Sequence, residues 1–218
     1  MKIFVINLEG ATDRWSHYKD KKYKRWLATD ARDMHPEDHK IKRMVSYYNI
    51  DPNEHKGKIG CLTSHLNIWR YMVMNKLDDI LILEDDADPV RDIPSSSELP
   101  DDGVVYFGGI TWSPKITDGQ KKVNFNSGIN KINFDDYRVL MTMSYYIPRW
   151  EIAKEMLDHI ESRPRWRAID ILMKDIPIPF YVWAPAVFVE RPIKSQIRAK
   201  KNKFSDESYC WVSKSTCQ

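Results

Sequence analysis

The run Ile80-Leu81-Ile82-Leu83, followed at once by Glu84, Asp85 and Asp86, constrains this chain more than any other stretch. An unbroken apolar run of strand length is suited to burial on both faces, as in a sheet covered by helices on each side. The acids must then sit at the strand's end, where the chain leaves the core. Other apolar runs bounded by turn residues predict strands over 2–8, 25–29, 79–84, 104–107, 138–147 and 179–189. Between them, Leu62, Leu66, Trp69, Met72 and Val73 recur at spacings of three and four and predict a helix over 59–75. Two further amphipathic stretches cover 149–160 and 168–174. Strands alternating with helices imply an α/β fold with a largely parallel sheet. The Ser- and Pro-rich stretch 92–100 reads as a surface loop, and 113–133, rich in Gly, Lys and Asn, as a lid or hairpin.

With 218 residues, 42% of them hydrophobic, the chain suffices for one globular domain, expected to span 1–218. A net charge of +3, with Lys and Arg spread along the chain, argues against nucleic acid as a partner. Residues 191–203 depart from this pattern with six basic residues and no acid, and 198–218 are expected to form a flexible basic tail. Cys61, Cys210 and Cys217 make neither a metal-ligand spacing nor an even disulfide set, which favours a reducing compartment. The opening residues MKIFVINLEG read as a buried strand and not a signal peptide, and no apolar run approaches the ~20 residues of a membrane span. A cytoplasmic protein with no membrane span is the expectation.

In an open α/β sheet, ligands bind outside the carboxyl ends of the strands, which is where Glu84, Asp85, Asp86 and Asp88 fall. Crowded carboxylates raise one another's pKa unless a cation neutralises them, and Mg²⁺ or Mn²⁺ is the natural neutraliser when substrate phosphates share the ion. A solvated turn or a helix cap is the plain alternative. Of the functional readings, a receiver domain would place its acids after the first strand, whereas about 80 residues precede these. A two-metal phosphoesterase would add clustered histidines, but the six here, at 17, 35, 39, 55, 65 and 159, form no ligand pattern. A sugar-nucleotide glycosyltransferase, with one metal held by an Asp-x-Asp turn against a diphosphate, also accounts for the surroundings.

Four blocks carry a resemblance to family 25 glycosyltransferases: FVINLEGATDRW from Phe4, RWLATDARD from Arg25, GKIGCLTSHLNIWRYMVMNKLDDILILEDDA from Gly57, and the looser IDILMKDIPIPFYVWAPAVFVERPIKSQI from Ile169. The resemblance implies a GT-A fold, Rossmann-like, with a mostly parallel central sheet flanked by helices. It also implies a UDP-sugar donor, galactose or glucose, and a glycan or glycoconjugate acceptor, with Mn²⁺ or Mg²⁺. Glu190 stands where a Gln is expected, and no His follows His159, so a C-terminal histidine ligand is missing. The chain is also shorter than many relatives, and a longer multidomain protein is consistent with that.

In this frame Ile6, Asn7 and Leu8 line a base pocket or serve as core, and Arg14 contacts base or phosphate or forms a surface pair with Asp13. Asp30 holds ribose or base edge. Ser64 and His65, early in the 59–75 helix, meet phosphate or sugar hydroxyls, or cap and pack that helix. Cys61 and Trp69 read as core. Metal ligation falls to Asp86 and Asp88, with Asp85 the alternative partner and Glu84 turned back toward the strand. Gly108 and Gly109, after the 104–107 strand, let backbone approach the sugar or form an ordinary turn. Asp170 is the candidate base toward an acceptor hydroxyl, or a first-turn acid favoured by the helix dipole. Trp112, Tyr145, Tyr146, Trp166 and Trp183 are candidates for stacking on sugars, and Lys194 and Arg198 for supporting the leaving diphosphate. The competing function is a sugar-nucleotide binding or hydrolysing domain of a larger protein, without efficient transfer.

Overall fold

The computed structural model describes residues 1–19, 22–48, 56–112, 123, 125–191 and 193. The predictions on Lys194, Arg198, the 198–218 tail, Cys210 and Cys217 fall outside them, as does most of 113–124. The elements in chain order are β1 (Lys2–Asn7), α1 (Thr12–Ser16), β2 (Tyr23–Leu27), a 3-10 turn (Ala31–Asp33), α2 (His39–Tyr48) and α3 (Lys56–Asn75). There follow β3 (Ile80–Glu84), β4 (Ala87–Pro89), β5 (Val104–Trp112), β6 (Gly128–Lys131) and β7 (Arg138–Ile147). The chain continues through α4 (Trp150–Ser162), α5 (Ile169–Met173), β8 (Phe180–Ala184) and β9 (Phe188–Glu190).

Seven strands form one sheet in the order β2-β1-β3-β7-β5-β8-β6. β1 pairs in parallel with β2 and β3, and β5 with β8, whereas β7 and β6 are antiparallel to their neighbours. Five strands therefore run one way and two the other, so the sheet is mixed but mostly parallel in direction, with helices covering it. A second, two-stranded sheet joins β4 to β9.

The apolar run of β3 is fully buried, Ile80 through Leu83, as its composition requires. Each such side chain stabilises the fold by about 1.5–3 kcal/mol relative to exposure. Helix α3 carries buried residues around much of its circumference, including Ile59, Leu62, Leu66, Ile68, Trp69 and Met72, because it is covered by α4 as well as by the sheet.

Two expectations change. Strand β5 does not stop at Phe107 but continues to Trp112, with register shifts at Tyr106/Gly108 and Gly108/Ile110. Gly108 and Gly109 are bulge residues within a strand, not a turn after it. The expected strand over 179–189 is two strands, β8 and β9, parted around Pro185, which has no N–H to give to a ladder.

Candidate active site

The order in which strands are added reverses between β1 and β3: from β1 the fold moves outward to β2, then returns through α3 to place β3 on β1's other side. The carboxyl ends of strands separate at such a switch point and leave a crevice. A cleft of about 800 Å³ lies there, lined by the ends of β1, β2 and β3 and by the first turns of α3.

The residues after β1 build its rear wall. Asn7 is buried; its Nδ2 donates to Asp85 Oδ2 at 2.6 Å and to the Ala11 carbonyl at 3.1 Å, while its Oδ1 accepts from Arg25 Nε at 2.8 Å. Arg14 Nη1 donates to Asp85 Oδ1 at 2.5 Å, with both side chains almost wholly buried. Both oxygens of Asp85 are thus engaged by protein partners. Ile6, Leu8 and Asp13 complete this wall.

Asp86 differs from Asp85. Its Oδ1 is shielded from solvent and has no hydrogen-bond partner. Burial, followed by the charges of Glu84, Asp85 and Glu190, pushes its carboxyl up to about 8, against the opposing pull of Arg14. An acid in that state lacks compensating positive charge. Its backbone is fixed from behind, where Arg191 N–H donates to the Asp86 carbonyl at 2.8 Å. Asp88 lies on β4, outside the cleft lining, and its Oδ1 meets His17 Nε2 at 3.0 Å.

Asp30 lines the cleft, but its carboxylate caps the 3-10 turn at Arg32 N and grips the Arg32 guanidinium, which holds its pKa below the usual range. Helix α3 is already formed at Lys56, three residues before the expected start, so Ser64 and His65 lie more than two turns from that point and helix-terminal amides do not reach them. Ser64 Oγ donates to the Gly60 carbonyl at 2.6 Å and accepts from Thr29 N at 2.8 Å, joining α3 to the loop after β2. Gly60 allows that contact, since a Cβ there would stand 2.7 Å from the Thr29 carbonyl oxygen.

His65 is fully buried, with Nδ1 2.7 Å from Tyr145 Oη and Nε2 3.3 Å from Glu84 Oε1. Thr142 Oγ1 donates to the same Glu84 oxygen at 2.7 Å. Burial opposes ionisation of Glu84, yet the His65 and Thr142 hydrogen bonds hold its pKa below the usual range. Cys61, expected in the core, is on the cleft wall, whereas Trp69 is core as expected.

Gly108 and Gly109 do not line the cleft. A Cβ at Gly108 would come 2.4 Å from the Phe188 carbonyl oxygen, so this glycine allows β9 to approach β5. Asp170 is also outside the lining; its carboxylate accepts from Met141 N at 3.3 Å and Ile171 N at 2.9 Å, and its charge acts on the Cys61 thiol. Among the aromatic candidates, Tyr145, Tyr146 and Trp166 are core.

Arg25, Arg32 and Lys56 went unmarked in the sequence. Arg25 supports Asn7, and Lys56 Nζ donates to the Arg32 carbonyl at 2.7 Å. Their signal was slight, since a single base beside a turn is common on any surface.

A mostly parallel sheet flanked by helices, with an acidic turn at the strand switch, makes a Rossmann-like α/β arrangement. Residues 1–89 match the family model described as glycosyltransferase family 25 (LPS biosynthesis protein). A glycosyltransferase 25 family member of Drosophila pseudoobscura pseudoobscura is 29% identical, over 49% of this chain and 20% of that protein. One from Drosophila melanogaster is 37% identical, over 27% of this chain and 11% of that protein. The chain thus spans a fifth or less of the curated relatives it matches. The crystal structure of A197 from STIV superposes with a TM-score of 0.44 at 14% identity, covering 87% of this chain and 84% of that one. A likeness at that level carries no functional weight.

Proposed function

We propose that this chain transfers a hexose, galactose or glucose, from a UDP-sugar to a glycan or glycoconjugate acceptor, with Mn²⁺ or Mg²⁺ bound at the acidic turn. The observation that carries this reading is the buried, partnerless Oδ1 of Asp86 on a cleft at the strand switch. The residues fit a hard divalent ion, with Asp86 its principal protein ligand. Asp85, already held by Asn7 and Arg14, serves to orient the turn. Asp88 could join the ion by leaving His17. When bound, the ion offsets charge on the diphosphate leaving group.

The protein's own groups hold the donor. Ile6 and Leu8 offer backbone and apolar surface to the base, and Asp30 and Arg32 a polar edge to the ribose. Asp170 takes the proton from the acceptor hydroxyl in this reading, supported by its electrostatic reach to Cys61 on the cleft wall.

Thermal-shift measurements with a panel of nucleotide sugars, each with and without Mn²⁺, test this reading. At 100 times its Kd a donor should stabilise the fold by about 2.7 kcal/mol. Such stabilisation should require Mn²⁺ and vanish in Asp86→Asn. Absence of any metal-dependent shift would overturn the proposal. Donor hydrolysis without transfer to any added acceptor would favour the narrower binding or hydrolysing role.

A further inference from the structure

Cys61, His65 and Glu84 stand apart from the Asp86 oxygen in chemical character. They bring a thiol, an imidazole and a carboxylate to one spot on the cleft wall, with ligand atoms all within 4.8 Å of one another. Two come from successive turns of α3, four residues apart and therefore on one helix face, and the third ends β3 opposite that face. We propose that these three side chains form a second metal site, selective for a thiophilic ion of the zinc class.

The donor set supports this choice. Thiolate and imidazole favour zinc over the hard Mg²⁺ or Mn²⁺ ions, which prefer oxygen alone. Tetrahedral zinc, with bonds of about 2.0–2.3 Å, places its ligands roughly 3.2–3.8 Å apart, so a modest inward rotation of these side chains suffices. Three protein ligands leave the fourth position to water from the cleft. A thiolate and a carboxylate together balance the ion's charge.

The surroundings already orient the ligands. Tyr145 Oη lies 2.7 Å from His65 Nδ1 and accepts from Trp69 Nε1 at 2.9 Å. His65 Nδ1–H can donate to that oxygen, which leaves Nε2, the nitrogen facing Glu84, with the lone pair for the ion. The Thr142 hydroxyl holds Glu84 from the other side. Binding would move the His65 proton from Nε2 to Nδ1, replace the His65–Glu84 hydrogen bond with two bonds to the metal and release the Cys61 thiol proton to solvent. Burial, then the Glu84 and Asp170 charges, keep that thiol protonated without an ion, which argues against a reactive nucleophile there.

Cobalt(II) titration of the reduced, metal-stripped full chain tests this without any nucleotide. Cys210 and Cys217 are first replaced by serine, because they are competing thiols. The expected result is a thiolate-to-cobalt charge-transfer band that saturates at a single ion per chain, is displaced by Zn²⁺ and persists in excess Mn²⁺. Cys61→Ser should abolish the band, Glu84→Gln should weaken binding, and Thr142→Val, which keeps all three ligands, should weaken it by about tenfold. Circular dichroism would establish that each variant is folded, and Cys61→Ser, at a half-buried position, is the least disruptive. No band in the serine-substituted parent, a band surviving Cys61→Ser, or equal displacement by Mn²⁺ would each overturn the proposal. Because no nucleotide is present, failure here is distinguishable from failure of the donor-binding test at Asp86.

Discussion

Asn7 joins three parts of the chain through one amide: it takes the Arg25 guanidinium, gives to Asp85 and gives to the Ala11 carbonyl. Removing it leaves Asp85 and Arg25 each short of a partner, and an unmet buried group costs about 1–3 kcal/mol. Asn7→Ala should lower stability by that amount in urea denaturation and weaken donor binding as Asp85 loses its orientation. Gly60→Ala should cost a similar 1–3 kcal/mol by overpacking, since the added methyl meets the Thr29 carbonyl oxygen. If Asp170 is the base, Asp170→Asn should reduce kcat by about 10²–10⁴ with donor KM little changed. A loss of thermal stability with kcat preserved would assign it instead to holding Met141, whose φ is 71°. At this scale Glu84, Asp85 and Asp86 were legible because consecutive acids after a strand announce themselves. Their division of labour was not, because it depends on Arg14, 71 positions away.

Among the elements, β7 matches its sequence bounds and β3 nearly does, since long apolar runs fix their own burial. Strand β4 was not foreseen, and β6 falls in the stretch read as a lid or hairpin but pairs with β8, because each exists through a distant partner, β9 and β8. The α4–α5 corner offers an element-scale test. Arg43 of α2 donates to the Glu161 carbonyl at 3.0 Å and also to the Arg163 carbonyl, and its guanidinium lies 4.0 Å from the centre of the Trp166 ring. Arg43→Lys should not restore what Arg43→Ala loses, because an ammonium cannot span several carbonyls and stack on the ring. Thermal melts of both variants check this. Further along, burial alone would raise the Asp175 pKa, but Lys174 and Arg163 outweigh it and bring it below the usual range. A carboxyl depressed in the folded state adds stability above its unfolded pKa of about 3.9 and loses it as pH falls through the lower folded value. The stability gap between wild type and Asp175→Asn should therefore be flat near neutrality and close below pH ~4, as followed by denaturation at several pH values.

For the whole molecule, the alternation of strands and helices was enough to infer a covered α/β sheet. The order of the strands was not legible, because β7 inserts antiparallel between β3 and β5 by pairings that no local pattern encodes. Among the described residues no helix is long and apolar enough to cross a membrane. Central strands flanked on both sides should be the last to open, so amide exchange should be slowest in β1, β3 and β7 and faster in the edge strands β2 and β6. Exchange read by mass spectrometry would contradict the observed strand order if β2 proved as protected as β3.

The small β4–β9 sheet carries a consequence for where such a domain can be cut. The family-model match covers residues 1–89, yet the acidic turn inside that stretch is secured by β9 and by the Arg191 amide, more than a hundred positions later. The segment that carries the match is therefore smaller than the unit that folds. A fragment ending after Pro89 would carry the acidic turn without the strand and amide that hold it, so truncation there should lose the cleft.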